Sequence, residues 1–449
     1  MSFKDMKVLI CGMARSGVAA ANLLLEEGAL VTLSDSKPIE ELKDTITKLS
    51  DDVKVVTGKL SDEEVMAYEI LVLSPGVPAD LGFIKKARDV GITVIGEFEL
   101  ASRFCKAPII AITGTNGKTT TTEMLYAIMK AHNPLSEMVG NVGIAFSERA
   151  KKIDPKGICV AEASSFQLET IDTFKPKVSA ILNFALDHLD RHGTFENYVN
   201  IKGRIFENQD ELDYVVLNYD NEDCRRLAPR AKAQILWFSC SSYELEGAFL
   251  KEGAIYTNMN GKTKHILDVS ELKIVGNHNY ENAMAATLMA HVMGVPINVI
   301  TENLKNFGGI SHRMEHVCTK NGVMYYNDSK ATNPESAIKA VQSMDKSVLL
   351  IGGGRGKDSD YNSWIKSFVD KVRKFYIIGE VSDILEKVCL EQKFYDFEKC
   401  ESFEDAVYKA MEEAKDGEAV LLSPACASYD MFKDYEERGN KFKKIVNEA

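Results

Sequence analysis

Ile112-Thr113-Gly114-Thr115-Asn116-Gly117-Lys118-Thr119-Thr120 stands between the apolar run Pro108-Ile109-Ile110-Ala111-Ile112 and the helix-periodic Thr121-Thr122-Glu123-Met124-Leu125-Tyr126-Ala127-Ile128. A buried strand, a glycine-bearing turn and a helix, in that order, make a phosphate cradle. Gly114 and Gly117 permit backbone angles that turn N–H groups toward an anion, and the helix N-terminus adds a partial positive charge. Lys118 is placed to reach outer phosphates and the Thr119 hydroxyl to meet a magnesium ion. The residue five before Gly117 is Ile112, so the loop departs from Gly-x-x-x-x-Gly-Lys-[Ser/Thr]. A plain glycine turn with an exposed lysine is the bland alternative, and the strand-to-helix junction weighs against it.

The same alternation runs outward in both directions. Lys7-Val8-Leu9-Ile10-Cys11, Leu30-Val31-Thr32-Leu33-Ser34 and Ile70-Leu71-Val72-Leu73 precede it, with the helix-like Val18 to Leu24 between the first two. Ile158 to Ala161 and Val178 to Leu182 follow, and the pattern restarts with Val348 to Ile351, Lys374 to Ile378 and Ala419 to Leu422. Apolar runs interleaved with helices predict parallel α/β sheets. Three restarts predict three domains, bounded near Gly96 and near Gly308-Gly309: 1–96, 97–308 and 309–449. A length of 449 residues agrees with about three domains.

Composition narrows the function classes. Hydrophobic residues at 45% and charged residues at 27% are globular values, and the net charge of −12 comes with no basic arm, which weighs against nucleic acid and anionic membranes as partners. Nine cysteines contain no Cys-x-x-Cys pair, which argues against a disulfide framework or a structural zinc site and for a reducing cytoplasm. The start Met1-Ser2-Phe3-Lys4-Asp5 does not read as a secretory leader, and no apolar run reaches membrane-spanning length, so no membrane insertion is expected.

A second glycine turn, Gly12-Met13-Ala14-Arg15-Ser16-Gly17, follows the first strand, and Asp35 ends the second. The spacing is that of a dinucleotide fingerprint with Ala14 in place of the middle glycine. Three readings stay open: an NAD site disfavoured by the Ala14 methyl, another nucleotide with Asp35 or Ser36 near its ribose or base, and a purely structural turn. Ser74-Pro75-Gly76 closes the Ile70 to Leu73 run and opens onto the same sheet edge. Glu162 ends the run beginning at Ile158, and His188 lies in the polar Asn183 to His192 stretch after the next one. Either could be merely solvated, yet beside a phosphate loop both become magnesium candidates. Lys202 reads as a helix-surface lysine.

Together these pieces resemble the Mur ligase family, ATP-dependent amide-forming enzymes of peptidoglycan precursor synthesis. The resemblance rests on Thr113 to Thr119, Gly140-Asn141-Val142-Gly143, Glu162 to Leu168, Asp187-His188-Leu189-Asp190-Arg191, Gly276 to Ala283 and His312-Arg313, and spans the chain from the first strand to near residue 438. It implies an α/β fold of three domains: a Rossmann-like N-terminal domain, a central P-loop ATPase-like domain and a C-terminal Rossmann-like domain. It implies ATP on Gly114, Thr115, Asn116, Gly117, Lys118, Thr119, Thr120, Asn282, Arg313 and Asp328. Magnesium would sit on Thr119, Glu162, His188 and a carbamylated Lys202, with Lys118, His188 and Lys202 catalytic. Asn327 to Pro334, Gly352 to Lys357 and Ser423 to Asp430 imply that the amino acid is D-glutamate and the acceptor UDP-N-acetylmuramoyl-L-alanine. The muramoyl nucleotide would rest on Asp35, Ser36, Ser74, Pro75, Gly76 and Asn141, and D-glutamate on Lys330, Thr332, Lys357, Ser428 and Tyr435. A monomer is expected.

The implied chemistry follows from reactivity. A carboxylate does not condense with an amine at neutral pH, so it first attacks the γ-phosphate of ATP and becomes an acyl phosphate, which the amine then attacks. Such an intermediate must be kept from water, so the C-terminal domain is expected to close on the central one. A dehydrogenase and a non-catalytic nucleotide-binding regulator are the rival classes.

Overall fold

The computed structural model describes residues 3–47, 49–243, 245–274, 276–356 and 360–449, and its chain divides into two compact units, Met1–Phe307 and Gly308–Ala449. Within the first unit, β1 (Lys7–Cys11), β2 (Leu30–Asp35), β3 (Lys54–Thr57), β4 (Ile70–Leu73) and β5 (Thr93–Gly96) form a parallel sheet in the order β3-β2-β1-β4-β5. The order reverses at β1, where the glycine turn sits, and ligands of open α/β sheets bind at such switch points. Gly17 is dictated by close approach: a Cβ there would lie 1.9 Å from the Gly12 carbonyl oxygen. That contact lets the helix Arg15–Glu26 start tight against β1.

The second sheet of this unit has the order β14-β13-β12-β11-β10-β9-β6-β8-β7. Its members are β6 (Ile109–Thr113), β7 (Glu137–Gly140), β8 (Cys159–Glu162), β9 (Val178–Ile181), β10 (Tyr214–Asn218), β11 (Gln234–Ser239), β12 (Gly247–Lys251), β13 (Ala254–Met259) and β14 (Lys262–Asp268). β6, β8 and β9 are fully buried apolar runs, as parallel strands covered on both faces must be. The helices Lys118–His132 and Asn277–Val292 pack together on one face, around Met124, Leu125, Ile128, Met284 and Leu288. The expected parallel pairing holds through β7, β8, β6, β9, β10, β11 and β12, and the strands beyond depart from it. β12, β13 and β14 form an antiparallel meander, whose half-solvated strands need only one apolar face and so leave a weaker sequence signal.

The second unit holds β15 (Glu315–Lys320), β16 (Val323–Asn327), β17 (Val348–Gly353), β18 (Val372–Ile378), β19 (Phe397–Lys399) and β20 (Ala419–Leu422), ordered β15-β16-β20-β17-β18-β19. Only β15 runs antiparallel, at an edge. Among the described residues no helix is long and apolar enough to cross a membrane, and none of the nine cysteines is in a disulfide.

Candidate active site

The carboxyl ends of the adjacent strands β9, β6 and β8 assemble one constellation. Gly114 and Gly117 hold φ of 151° and 80°, angles that L side chains rarely adopt, so the loop turns its backbone as a phosphate nest requires. The loop is pinned from β9: Asn183 Oδ1 accepts from the Asn116 N–H at 2.8 Å and Asn183 O from the Thr115 N–H at 2.9 Å. The Thr115 and Tyr198 hydroxyls lie 3.1 Å apart. Asn282 covers the loop from the second helix, accepting from Thr121 Oγ1 at 3.1 Å, and a Cβ on Gly117 would meet Asn282 Oδ1 at 2.4 Å. Lys118 opens the helix and curls its Nζ onto the Gly114 and Thr115 carbonyls at 3.0 and 2.9 Å. Thr119 and Thr120 follow, half-buried in the first turn.

Glu162 ends β8 beside this loop, 1% exposed. Asn141 Nδ2 donates to its Oε1 at 2.7 Å, while its Oε2 has no hydrogen-bond partner among the described residues. A buried carboxylate oxygen without a donor is costly unless a cation arrives, so the residues present fit a hard metal ion. His188 is held with φ of 49° and its side chain is 47% exposed, its ring 4.9 Å from that of Phe166.

Lys202 overturns the reading of a helix-surface lysine. It is 2% exposed, donates to the Gly114 carbonyl at 2.8 Å and lies 5.0 Å from the centroid of the Tyr198 ring. Burial, then the nearby Lys118 charge, holds its amine well below the ordinary lysine range, with Asp187 and Glu162 opposing. The neutral amine this favours is the form that can add to carbon dioxide. Tyr198, one turn before Lys202 on the helix Phe195–Gly203, is the neighbour the sequence reading missed, and its i,i+4 spacing was the available signal.

A cavity of about 860 Å³ lies at the switch point of the first sheet, lined by Gly12, Ala14, Asp35, Ser36, Ser74, Pro75 and Gly76, with Asn141 and Gln167 contributed by the neighbouring sheet. The expected nucleotide residues are therefore together. Asp35 does more than line it: its carboxylate accepts from the Met13 and Lys37 N–H groups at 2.8 and 3.0 Å, shaping the glycine turn. Ser74 Oγ likewise donates to the Gly12 carbonyl at 2.9 Å. Asn141 touches both the cavity and Glu162, so one side chain links the two sites.

In the second unit Asp328, Lys330 and Thr332 follow β16, Ser428 follows β20, and Ser329 Oγ ties the first of these loops to the carbonyl of Tyr435 at the start of the last helix. Asp328 is buried, accepts from Ser423 Oγ at 2.7 Å and from the Met314 N–H at 3.2 Å, and burial pushes its carboxyl up to about 7. Lys330 Nζ lies 6.0 Å from the centroid of the Tyr435 ring, and the Thr332 N–H donates to the Lys330 carbonyl at 2.9 Å. Ser428 is 2% exposed. Arg313 is exposed on the turn before β15. Lys357 lies outside the described residues.

Comparison with known proteins places this architecture. Residues 6–96 match the Mur ligase MurD-like N-terminal domain, 112–290 the Mur ligase middle domain and 312–426 the Mur ligase glutamate ligase domain. A UDP-N-acetylmuramoylalanine--D-glutamate ligase of Caldanaerobacter subterraneus subsp. tengcongensis is 44% identical, covering 99% of each chain. One from Lachnoclostridium phytofermentans is 45% identical over 100% of this chain and 99% of its own. Among solved structures, UDP-N-acetylmuramate-alanine ligase MurC of Thermotoga maritima superposes with a TM-score of 0.55 at 18% identity, covering 99% of each chain, a likeness of fold. With three successive domain matches and near-complete coverage at these identities, this chain belongs to the Mur ligase family.

Proposed function

We propose that this chain joins D-glutamate to UDP-N-acetylmuramoyl-L-alanine in cytoplasmic peptidoglycan precursor synthesis, at the expense of ATP and through an acyl phosphate. The observation that carries the reading is the convergence on one sheet edge of a glycine phosphate nest, a buried carboxylate with one oxygen that finds no donor among the described residues, and a buried lysine driven toward neutrality. The full-length relatives named for this reaction support the choice of amino acid.

In this reading residues 1–96 seat the nucleotide, 97–308 the ATP and 309–449 the amino acid. The muramoyl nucleotide occupies the cavity beside Asp35, Ser36, Ser74, Pro75 and Gly76, with Asn141 at its inner end. The loop from Gly114 to Thr120, with Thr115 and Asn116 pinned by Asn183, receives the ATP phosphates on its N–H groups from Gly117 onward, and Lys118 leaves its loop carbonyls to follow the charge that develops on the γ-phosphate. Asn282, Arg313 and Asp328 contact the rest of ATP. Lys202, as the neutral amine, bonds to the carbon of carbon dioxide and releases a proton, which leaves a carbamate anion where the amine stood. Thr119, Glu162, His188 and that carbamate would hold magnesium, which would supply charge neutralisation for phosphoryl transfer. Lys330, Thr332, Lys357, Ser428 and Tyr435 orient D-glutamate so that its amine meets the acyl carbon and inorganic phosphate leaves.

Phosphate release from ATP tests the reading. It is expected only when the muramoyl nucleotide and D-glutamate are both present. Release that needs neither substrate would mark a plain ATPase, and no release would mark a nucleotide-binding regulator.

A further inference from the structure

Arg438 has no part in the reaction as described, yet it is the only arginine among the buried polar and charged residues of the described chain, at 0% exposure. It projects from the helix Tyr435–Glu448, which Asp434 caps. Its Nε donates to Ser329 Oγ at 2.9 Å, one terminal nitrogen to the Ser329 carbonyl at 2.9 Å and the other to the Cys426 carbonyl at 3.1 Å. A Cβ built on Gly354 would lie 3.4 Å from that last nitrogen. The fork thus bonds to the loops that leave β16 and β20 and lies beside the loop that leaves β17, three neighbouring parallel strands. Ser329 Oγ in turn donates to the Tyr435 carbonyl at 2.8 Å, tying the first loop to the start of the helix.

All these acceptors are neutral oxygens. Asp430 and Asp328 act on the guanidinium through space without an ion pair among the described residues, and burial lowers its proton affinity to a pKa of about 10, so it stays charged near neutrality. A buried cation without a directly paired carboxylate is expensive for a merely structural tie, since neutral side chains can hold loops at lower cost. Its charge lies under the loops that present Lys330, Thr332 and Ser428. In a water-poor edge such a charge draws anions.

We propose that Arg438 is the positioning residue of the amino-acid site, its fork tying two strand-end loops in register beside a third and its charge biasing that edge toward a dicarboxylate. The proposal rests on the reading of D-glutamate as substrate. Arg438 itself touches no substrate.

The test uses full-length Arg438→Lys, Arg438→Met and Ser329→Ala, with phosphate release measured against D-glutamate, its side-chain amide D-glutamine, ATP and the muramoyl nucleotide, alongside thermal melts. Arg438→Lys keeps the charge and loses the fork, so the KM for D-glutamate should rise roughly tenfold or more while that for ATP moves little and preference over D-glutamine persists. Arg438→Met should also lose the preference. Ser329→Ala removes one acceptor and should raise the D-glutamate KM several-fold. Uniform losses across all substrates, tracking the melts, overturn the positioning role. If both Arg438 variants fail to fold, an unchanged D-glutamate KM in Ser329→Ala overturns it. A wild type that ignores D-glutamate brings down the functional reading and this one with it, whereas a wild type that uses D-glutamate beside indifferent variants overturns only the role of Arg438.

Discussion

Glu162→Gln should make the protein more stable and much less active. Glu162 is 1% exposed, with one carboxylate oxygen bonded to Asn141 Nδ2 at 2.7 Å and the other without a partner among the described residues. Glutamine keeps the shape and the Asn141 bond and removes an incompletely solvated charge. Relief of such a buried charge is worth about 1 to 2 kcal/mol, less than the full penalty because Asn141 stays satisfied. In a unit of this size that is a rise of about 2 to 4 °C in melting temperature. The same exchange deletes a hard anionic ligand where negative phosphates must gather. Losing one electrostatic partner of the transition state costs about 3 to 4 kcal/mol, or roughly 10² to 10³ in turnover. Differential scanning calorimetry of the ligand-free protein and a phosphate-release assay read the two effects separately. A variant that loses both stability and turnover would mean that Glu162 is a structural carboxylate, and one that keeps its turnover would remove it from the metal set.

Three further outcomes follow from the same geometry. Lys118→Ala should lose about 10² to 10⁴ in turnover while melting within about 2 °C of wild type, because it removes a donor to the developing phosphate charge together with its bonds to the Gly114 and Thr115 carbonyls; near-normal steady-state turnover would discard the cradle. Lys202→Ala should be inactive and partly rescued by a short carboxylic acid at high concentration, and rescue equal in every inactive variant would refute the carbamate. Asp328 titrates at about 7 when folded against an ordinary 3.8, so between those values the unfolded chain binds fewer protons and stability falls as pH rises, with the loss complete above about 7. Asp328→Asn should therefore match wild type near pH 4 and exceed it by about 1 to 3 kcal/mol at pH 8, within the ceiling of about 4 kcal/mol that a shift of this size allows; melts at the two pH values check this, and a constant difference would contradict it.

What the sequence made legible was what parallel sheets write plainly. Lys7–Cys11, Ile70–Leu73 and Ala419–Leu422 are continuous apolar strands bounded by turns, and they stand where their runs predict. The phosphate loop was legible for the same reason, since its glycines and lysine are local in sequence. The meander β12 to β14 was not, because Lys262–Asp268 alternates weakly and half faces solvent. Lys202 hid because burial is a tertiary property: Asn200-Ile201-Lys202-Gly203-Arg204 carries nothing that distinguishes a lysine under a loop from one in water. Arg438 hid in the same way within Glu436-Glu437-Arg438, three charged residues in a row that carry nothing to distinguish a buried guanidinium from a solvated one. Asn141 was carried over as a nucleotide contact, and its bond to Glu162 appears only once β7 and β8 pair.

The most direct measurement of the central claim is the mass of the product formed when ATP, magnesium and UDP-N-acetylmuramoyl-L-alanine are offered with D-glutamate, L-glutamate, L-lysine or meso-diaminopimelate in turn. The account predicts a single new species, the nucleotide extended by one glutamate residue, formed with D-glutamate and matched by an equal amount of phosphate. Extension by L-lysine or diaminopimelate in preference, or ATP cleavage without extension, would contradict it.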